Sequence, residues 1–100
     1  MLIVREIFTA KPGQASKLAK LCKKAMSEDH NVVVMTDLVG NFNTVVAEFR
    51  VKNLAEFEKQ MEEYKSGKQD PKMDPDLAEE MSKYTEMYIT GRREIYQIVE

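Results

Sequence analysis

The segment VVVMTDLVGNFNTVVAEFRV, residues 32–51, decides the fold. Two runs rich in β-branched residues, 32–39 and 44–51, flank the short connection 40–43, which has the length and the glycine and asparagine content of a hairpin turn. Every second residue of the later run is apolar, which predicts a strand with one buried face: Val45, Ala47, Phe49 and Val51.

The elements before and just after this hairpin follow from changes in hydrophobic period. Residues 2–9 are β-branched and aromatic and predict a first strand, and residues 14–28 have the helical spacing of an amphipathic helix. Asn53 followed by Glu56 fits a capping box and predicts the start of a second helix. That helix stops near Ser66-Gly67, and its apolar side is formed by Leu54, Phe57, Met61 and Tyr64.

The last third of the chain predicts a short helix and a final strand. Residues 68–73 form a polar loop, and Asp74-Pro75 is typical of a helix start. The inward residues of this third helix are Leu77, Met81 and Tyr84. Residues 87–99 predict a strand with a bulge at Gly91. The order β-α-β-β-α-(α)-β indicates an α+β, ferredoxin-like (split βαβ) fold with four antiparallel strands and the helices on one face.

Composition narrows the class of protein. The chain has 100 residues, 43% of them hydrophobic and 32% charged, which indicates one soluble globular domain spanning residues 1–100. No apolar run approaches the roughly 18 residues of a membrane span, and we see no leader sequence, so we expect no membrane partner and a cytoplasmic location. One cysteine and one histidine argue against a disulfide or a zinc site. A net charge of -2 argues against a nucleic-acid partner.

Apolar residues fall on both faces of the predicted sheet, because consecutive strand residues point in opposite directions. Helices on one side cover only one face, and an exposed apolar sheet face exceeds what soluble monomers usually tolerate. The simplest partner is a second copy of this chain, so we expect a homodimer with its sheets packed face to face. Short strands that curl beneath covering loops are the alternative.

Four segments resemble the dimeric α+β barrel superfamily, and within it the NIPSNAP-type and antibiotic-biosynthesis-monooxygenase-type small proteins. They are REIFTAKPG (5–13), DLVGNFNT (37–44), NLAEFE (53–58) and GRREIY (91–96). The resemblance implies a ferredoxin-like protomer, a dimer that joins two sheets into a barrel, and a pocket between each sheet and its helices. It implies no particular reaction, since members include cofactor-free oxygenases, haem-degrading enzymes and proteins without a known activity.

This chain departs from the oxygenases of that superfamily. Members that act on aromatic substrates or haem often use tryptophan with asparagine, and this chain has no tryptophan. The haem-degrading members add a histidine ligand from a helix, whereas His30 falls at the break between the first helix and the second strand. Turn chemistry accounts for Asn41 and Asn43. We therefore predict no cofactor and no metal.

Five residues are candidates for binding a small molecule. Arg5 is a charge in an apolar strand and would orient an anionic or phenolic ligand, although a cross-strand ion pair would also account for it. Tyr64, Tyr84 and Tyr88 would supply aromatic walls and hydroxyl donors, with core packing as the alternative. His30 would act as a base, or would interact favourably with the end of a helix dipole.

Two functional hypotheses remain open, and the sequence does not decide whether the chain is an enzyme. One is a homodimer that binds a small apolar or aromatic molecule between the sheet and residues 64–88. The other is a cofactor-free monooxygenase of the antibiotic-biosynthesis type. An interior closed by side chains would argue against the enzyme, and the residues that would close it are Phe49, Phe57, Met61 and Met81.

Overall fold

A single antiparallel sheet organises the molecule. The computed structural model of the chain describes residues 1–26, 32–65 and 75–100, without the side chains of Tyr64, Lys65 and Leu77. The four strands are β1 (Leu2–Ala10), β2 (Val33–Thr36), β3 (Thr44–Val51) and β4 (Tyr88–Gln97). The helices are α1 (Ala15–Ala25), α2 (Leu54–Lys65), α3 (Pro75–Ser82) and a 3₁₀ turn at Tyr84–Glu86. The sheet order β2-β3-β1-β4 confirms the predicted ferredoxin-like α+β fold.

The sheet has a covered face, against which the helices pack, and an open face on its other side. The predicted inward residues of β3 all lie on the covered face and are at most 4% exposed. Val45 contacts Leu18 and Cys22 of α1 in one core cluster, and Phe49 packs near Phe57 of α2 in a second. The alternation along β3 therefore fixes which side of the sheet receives the helices.

Helix α1 buries one stripe of side chains on the sheet. Leu18, Leu21 and Cys22 are buried at helical spacing, while the lysines of the helix lie on its other sides. The regular helix ends at Ala25, and the Met26 N–H still donates to the Cys22 carbonyl at 3.1 Å. The predicted helix extends to residue 28, and its last two residues lie outside the described part of the chain.

The hairpin is longer than predicted, because β2 ends at Thr36 and the connection runs from residue 37 to residue 43. The Thr44 N–H donates to Asp37 Oδ1 at 2.8 Å, and the Thr44 hydroxyl donates to the Asn41 carbonyl at 3.1 Å. Asn43 has a left-handed φ of 63°, which asparagine tolerates better than most residues. The Asp37 side chain thus hydrogen bonds across the hairpin at a position where the sequence predicts that the strand continues to residue 39.

The start of α2 confirms the predicted cap at Asn53, but the return bond from Glu56 goes to the N–H of Lys52 and not to that of Asn53. The Glu56 N–H donates to Asn53 Oδ1 at 2.9 Å, and the Glu56 carboxylate accepts from the Lys52 N–H at 2.6 Å. The prediction that Leu54 faces inward is wrong, because its side chain is 62% exposed. As the first helical residue it lies beyond the part of α2 that reaches the sheet, whereas Phe57 and Met61 are half-buried.

Strand β4 contains the predicted irregularity, two residues earlier than expected. Thr9 of β1 pairs with Thr90, and Ala10 pairs with Tyr88, so the unpaired extra residue is Ile89. Gly91 itself pairs in register with Phe8. Among the described residues, no helix has both the length and the apolar character needed to cross a membrane.

Candidate functional site

Three aromatic rings meet on the covered face, at the end of the sheet where β1 finishes. The ring centroids of Phe8 and Tyr88 lie 4.8 Å apart, and those of Tyr84 and Tyr88 lie 5.8 Å apart. Phe8 meets Tyr84 edge to face at 6.4 Å. All three side chains are half-buried. This aromatic cluster has the geometry in which rings attract one another, and it leaves part of its ring surface accessible.

Gly91 makes room for this cluster. A methyl group at residue 91 would lie 3.1 Å from Phe8 Cδ1 and 3.5 Å from Tyr88 Cε2, so the rings lie across the glycine. Beneath them, Ala10, Leu18 and Val45 form a fully buried floor. The chain therefore places a group of mutually tilted rings on a buried apolar support at this position.

A charged pair lies next to the aromatic cluster on the covered face. Glu6 Oε1 accepts from Arg93 Nε at 2.5 Å, and the Arg93 guanidinium lies 5.3 Å from the centroid of the Phe57 ring. The Glu6 side chain is only 16% exposed. Desolvation by burial raises the pKa of the nearby Cys22 thiol; a backbone hydrogen bond opposes this shift, and the Glu6 carboxylate adds to it. Cys22 is thus a neutral, apolar neighbour of this ion pair.

A second charged pair occupies the open face. Arg5 Nε donates to Glu48 Oε2 at 2.9 Å, and the Arg5 guanidinium lies 5.2 Å from the Tyr96 ring centroid. A hydrogen bond to Glu94 raises the pKa of the Tyr96 hydroxyl. The open face also carries the charged side chains of Arg50, Arg92 and Glu94, and its apolar residues are Ile3, Ile7, Val33, Met35 and Val46.

The structure brings together some of the predicted site residues and separates others. Tyr84 and Tyr88 lie in the aromatic cluster, but Arg5 lies on the opposite face of the sheet, where it forms the cross-strand ion pair. The single pocket predicted from Arg5 and the tyrosines is therefore wrong within one copy of the chain. The reason is strand alternation, which puts Glu6 and Phe8 on the covered face and Arg5 on the open one.

The other predicted features fall outside the described residues or side chains. His30 and the polar loop 68–73 lie outside the described residues, and of Tyr64 the structure gives only its position in α2. In the described ranges, no group of three or more histidine, cysteine or acidic side chains is arranged to hold a metal ion.

The covered-face interior is partly closed by the residues predicted to close it. Phe49 is buried, and Phe57, Met61 and Met81 are half-buried. Two depressions in the described part of the chain are open to solvent and lie away from the aromatic cluster. One follows Asp76, Glu79 and Lys83 along α3, and the other lies between the start of α1 and the 37–43 connection.

Sequence reasoning missed the roles of Phe8, Arg93 and the 37–43 connection. A glycine inside a strand signals a close approach by another group, so Gly91 could have identified the ring packed over it. Arg93 could not be paired with Glu6 without the register between β1 and β4. Nothing in the sequence indicates that Leu38 and Val39 are exposed, because both residue types favour strands.

The solved structures with a similar fold are NIPSNAP domain proteins and candidate antibiotic biosynthesis monooxygenases. A NIPSNAP domain protein from Burkholderia xenovorans has 12% sequence identity and a TM-score of 0.74, with 99% of this chain and 95% of that chain covered. A candidate antibiotic biosynthesis monooxygenase from Chloroflexus aurantiacus has 11% identity and a TM-score of 0.68, with 99% and 93% covered. A similar candidate from Deinococcus radiodurans has 15% identity and a TM-score of 0.63, with 100% and 94% covered.

Two further comparisons were negative: no family model matches this chain, and no curated protein matches it. At identities of 11–15% the solved structures share the fold and nothing finer. The shared fold extends over nearly the whole chain in all three cases. In architecture, this chain is therefore a ferredoxin-like α+β protein of the kind formed by NIPSNAP domain proteins and antibiotic-biosynthesis-monooxygenase-like proteins, as its sequence resemblance predicts.

Proposed function

We propose that this chain forms a homodimer that binds a small apolar or aromatic molecule on the covered face, against the aromatic cluster of Phe8, Tyr84 and Tyr88. The observation that carries the proposal is the cluster itself, which presents half-buried rings on a rigid floor. Small-molecule sites are mostly apolar and aromatic surfaces with a few polar groups at defined positions. The two tyrosine hydroxyls are such polar groups.

The neighbouring ion pair narrows the chemistry of the ligand. Glu6 and Phe8 are two residues apart on the same face of β1, which corresponds to about 6.6 Å along the strand. A molecule that stacks on the Phe8 ring would therefore lie close to the Glu6–Arg93 pair. We expect a ring system with a hydroxyl, amine or carboxyl group on one edge, since that edge can hydrogen bond to the pair.

The open face supports the dimer half of the proposal. Its apolar residues surround an ion pair that is already satisfied within one copy, Arg5 with Glu48. Arg92 and Glu94 form a further ion pair on this face at 3.5 Å, so a partner can cover the middle of the sheet without leaving an unpaired charge, provided that the exposed Arg50 near the end of β3 stays in solvent. Two copies related by a twofold axis would cover it symmetrically, with the same patch used on both sides.

A thermal-denaturation screen against planar aromatic compounds tests the ligand site. Compounds that bind the folded state raise its melting temperature. We expect the shift to shrink in Tyr84→Phe and Tyr88→Phe, which remove only a hydroxyl group. Tyr96→Phe makes the same chemical change on the open face and should respond like the wild type. A screen without any stabilising compound, or equal shifts in all four proteins, would refute the site.

The second candidate function is a cofactor-free monooxygenase that uses this same surface. What favours it is the likeness in fold to candidate monooxygenases from two bacteria. In such a reaction the aromatic substrate itself reduces O₂: one oxygen atom enters the substrate, and the other leaves as water with two hydrogens from the substrate. Oxygen consumption that begins on adding a stabilising compound would support the enzyme, and stabilisation without consumption would support the binding protein.

We also propose a cytoplasmic location. Cys22 is a free and buried thiol, which suits a reducing compartment. Fractionation of cells producing the protein with a small carboxy-terminal tag would test this proposal. Recovery in the soluble cytoplasmic fraction is the expected result, and recovery outside the cytoplasm would contradict it.

A further inference from the structure

Strand β4 carries a cation directly beside the aromatic cluster. Arg93 follows Gly91 by two residues, so both belong to the covered face and lie about 6.6 Å apart along the strand. The Phe8 ring lies across Gly91, with its Cδ1 atom 3.1 Å from the position of an added methyl group. A molecule stacked on that ring therefore has Arg93 as its next neighbour along β4.

Two contacts fix the Arg93 guanidinium in place. Its Nε donates to Glu6 Oε1 at 2.5 Å, and the group lies 5.3 Å from the centroid of the Phe57 ring. A planar guanidinium that is bonded on one edge and rests against an aromatic ring is ordered before a ligand arrives. Binding to it therefore costs little additional conformational entropy.

The two Nη groups of Arg93 remain for a ligand. Arginine has five N–H donors, and the bond to Glu6 uses the one on Nε. Within residues 1–26, 32–65 and 75–100, no group that the structure describes accepts a hydrogen bond from these Nη groups. Their shared edge matches the two oxygens of a carboxylate, which can accept two parallel hydrogen bonds.

The two members of the ion pair differ in their access to solvent. The Arg93 side chain is 43% exposed, whereas the Glu6 side chain is 16% exposed. A ligand that arrives from solvent therefore meets the cation first. An anion on the Nη edge is closer to the guanidinium than to the Glu6 carboxylate, so attraction exceeds repulsion. An ammonium group at the same place would face the exposed cation.

Hydrogen bonding at this edge also separates a carboxylate from an uncharged group. A hydroxyl or amide oxygen accepts from Nη without bringing a charge and without a second, parallel oxygen. A carboxylate forms two parallel bonds and adds the attraction between opposite charges. The Nη edge therefore discriminates in favour of a carboxylate.

We propose that the molecule bound on the aromatic cluster is an aromatic carboxylate, whose ring stacks on Phe8 and whose two oxygens accept from the Nη groups of Arg93. This inference rests on the proposed function, because it requires an aromatic ligand on the covered face. Glu6 is a positioning residue, since it holds the guanidinium through Nε and leaves the Nη edge available.

A matched series of three naphthalene derivatives tests the charge of the ligand. Naphthoate is an anion at neutral pH, naphthamide is its uncharged counterpart of nearly the same shape, and naphthylmethylammonium is a cation. Isothermal titration calorimetry measures the affinity of each compound for the full chain. We expect naphthoate to bind about tenfold more tightly than naphthamide, and the cation to bind more weakly than both.

Arg93 is tested together with Glu6, because Arg93→Gln alone leaves the mostly buried Glu6 carboxylate without its partner and destabilises the fold. Glu6→Gln keeps an oxygen that accepts from Nε and removes the repulsion. Naphthoate should therefore bind several-fold more tightly to Glu6→Gln than to the wild type, with the affinity for naphthamide unchanged. In the double variant Glu6→Gln, Arg93→Gln, the preference for naphthoate over naphthamide should disappear.

Arg92→Gln is the matched control. It removes one positive charge from the adjacent residue of β4, but the Arg92 side chain lies on the open face. The preference for naphthoate should therefore remain as in the wild type.

The outcomes separate this inference from the proposed function. If naphthamide or naphthylmethylammonium binds as tightly as naphthoate, the aromatic site exists but its ligand is not a carboxylate. A preference for naphthoate that persists in the double variant, or that Arg92→Gln abolishes, would assign the anion to another cation and overturn the role of Arg93. Binding of none of the three compounds would overturn this inference, and the thermal-denaturation screen then decides the proposed function.

Discussion

Val45 and Val46 are neighbours in β3, and they show how differently the two faces of the sheet are built. Val45 is completely buried against Leu18 and Cys22, while Val46 lies on the open face and is half-buried by its strand neighbours alone. The covered face is already a close-packed core in one copy of the chain. The open face mixes apolar with charged side chains, and we propose that a second copy covers it.

The charges on the two faces support the same distinction. On the covered face, the Glu6–Arg93 pair lies between the two core clusters and beside the aromatic cluster. On the open face, the Arg5–Glu48 pair lies among apolar side chains in the middle of the strands. Apolar residues mixed with satisfied polar groups are typical of protein interfaces. One face therefore stabilises the fold, and the other is suited to recognition.

The largest effect is expected for Val45→Asp. This change places a carboxylate without a partner in the covered core, at a free-energy cost of several kcal/mol. Since small domains are stable by only about 5–15 kcal/mol, we expect the protein to be largely unfolded. Circular dichroism and thermal denaturation measure this directly. A cooperative transition near the wild-type temperature would show that Val45 does not lie in the core.

Val46→Asp should act on assembly and leave the fold intact. On the open face of one copy, the new carboxylate remains hydrated, so the melting transition of the monomer should persist. Between two packed sheets the same charge is desolvated, and we expect the dimer affinity to fall by about a hundredfold or more. Light scattering across a concentration series gives the answer. Dimers of wild-type affinity in this variant would mean that the sheets do not pack face to face.

A smaller effect is expected for Gly91→Ala. The added methyl group would lie 3.1 Å from Phe8 Cδ1, so the ring must shift, and we expect a loss of about 1 kcal/mol in the free energy of unfolding. Urea denaturation measures the loss. Gly40→Ala is the control, because its methyl group meets nothing closer than Asp37 Cβ at 3.6 Å. Equal stabilities of the two variants would argue against close packing of Phe8 over β4.

The smallest effect is on the pH dependence of the free energy of unfolding. It distinguishes Cys22 on the covered face from Tyr96 on the open face. Burial raises the pKa of the Cys22 thiol, so the folded state binds its proton more tightly than the unfolded state does. This contribution is complete below the ordinary thiol pKa and is lost as the pH rises through the raised value. The free energy of unfolding should therefore fall more steeply at alkaline pH in the wild type than in Cys22→Ala.

Tyr96→Phe is the control for the measurement of the free energy of unfolding against pH. The Tyr96 pKa is also raised, chiefly by the hydrogen bond to Glu94, but its side chain is in solvent in one copy. Its removal should leave the alkaline slope of the monomer almost unchanged. If Tyr96→Phe flattened the slope and Cys22→Ala did not, our assignment of Cys22 to the desolvated interior would be contradicted.

The parts of the fold that the sequence predicts best are those with a local physical signal. Every second residue from Val45 to Val51 is apolar, and residues 44–51 form β3 over that same range; Asn53 caps α2 as expected. Strand β2 is shorter than predicted. The Thr44 N–H bonds to the Asp37 side chain, and composition alone does not reveal this contact. The position of the bulge at Ile89 likewise depends on register.

The candidate site was less accessible to sequence reasoning, because it depends on which way each strand residue points. The sequence predicts Tyr84 and Tyr88 as ligand-binding candidates, and the structure places their rings side by side. Arg5 was assigned to the wrong side, because a shift of one residue moves a side chain to the other face. Only the pairing of β1 with β3 and β4 resolves that choice.

The two outer strands of the sheet bear on solubility. Strand β2 has four residues, while β4 has ten, contains the bulge at Ile89 and carries the consecutive charges Arg92, Arg93 and Glu94. Short edges, bulges and charged edges each discourage strands of other molecules from adding to a sheet. We therefore expect the proposed dimer to remain a closed assembly of defined size, and its concentrated solutions to resist growth into fibrils.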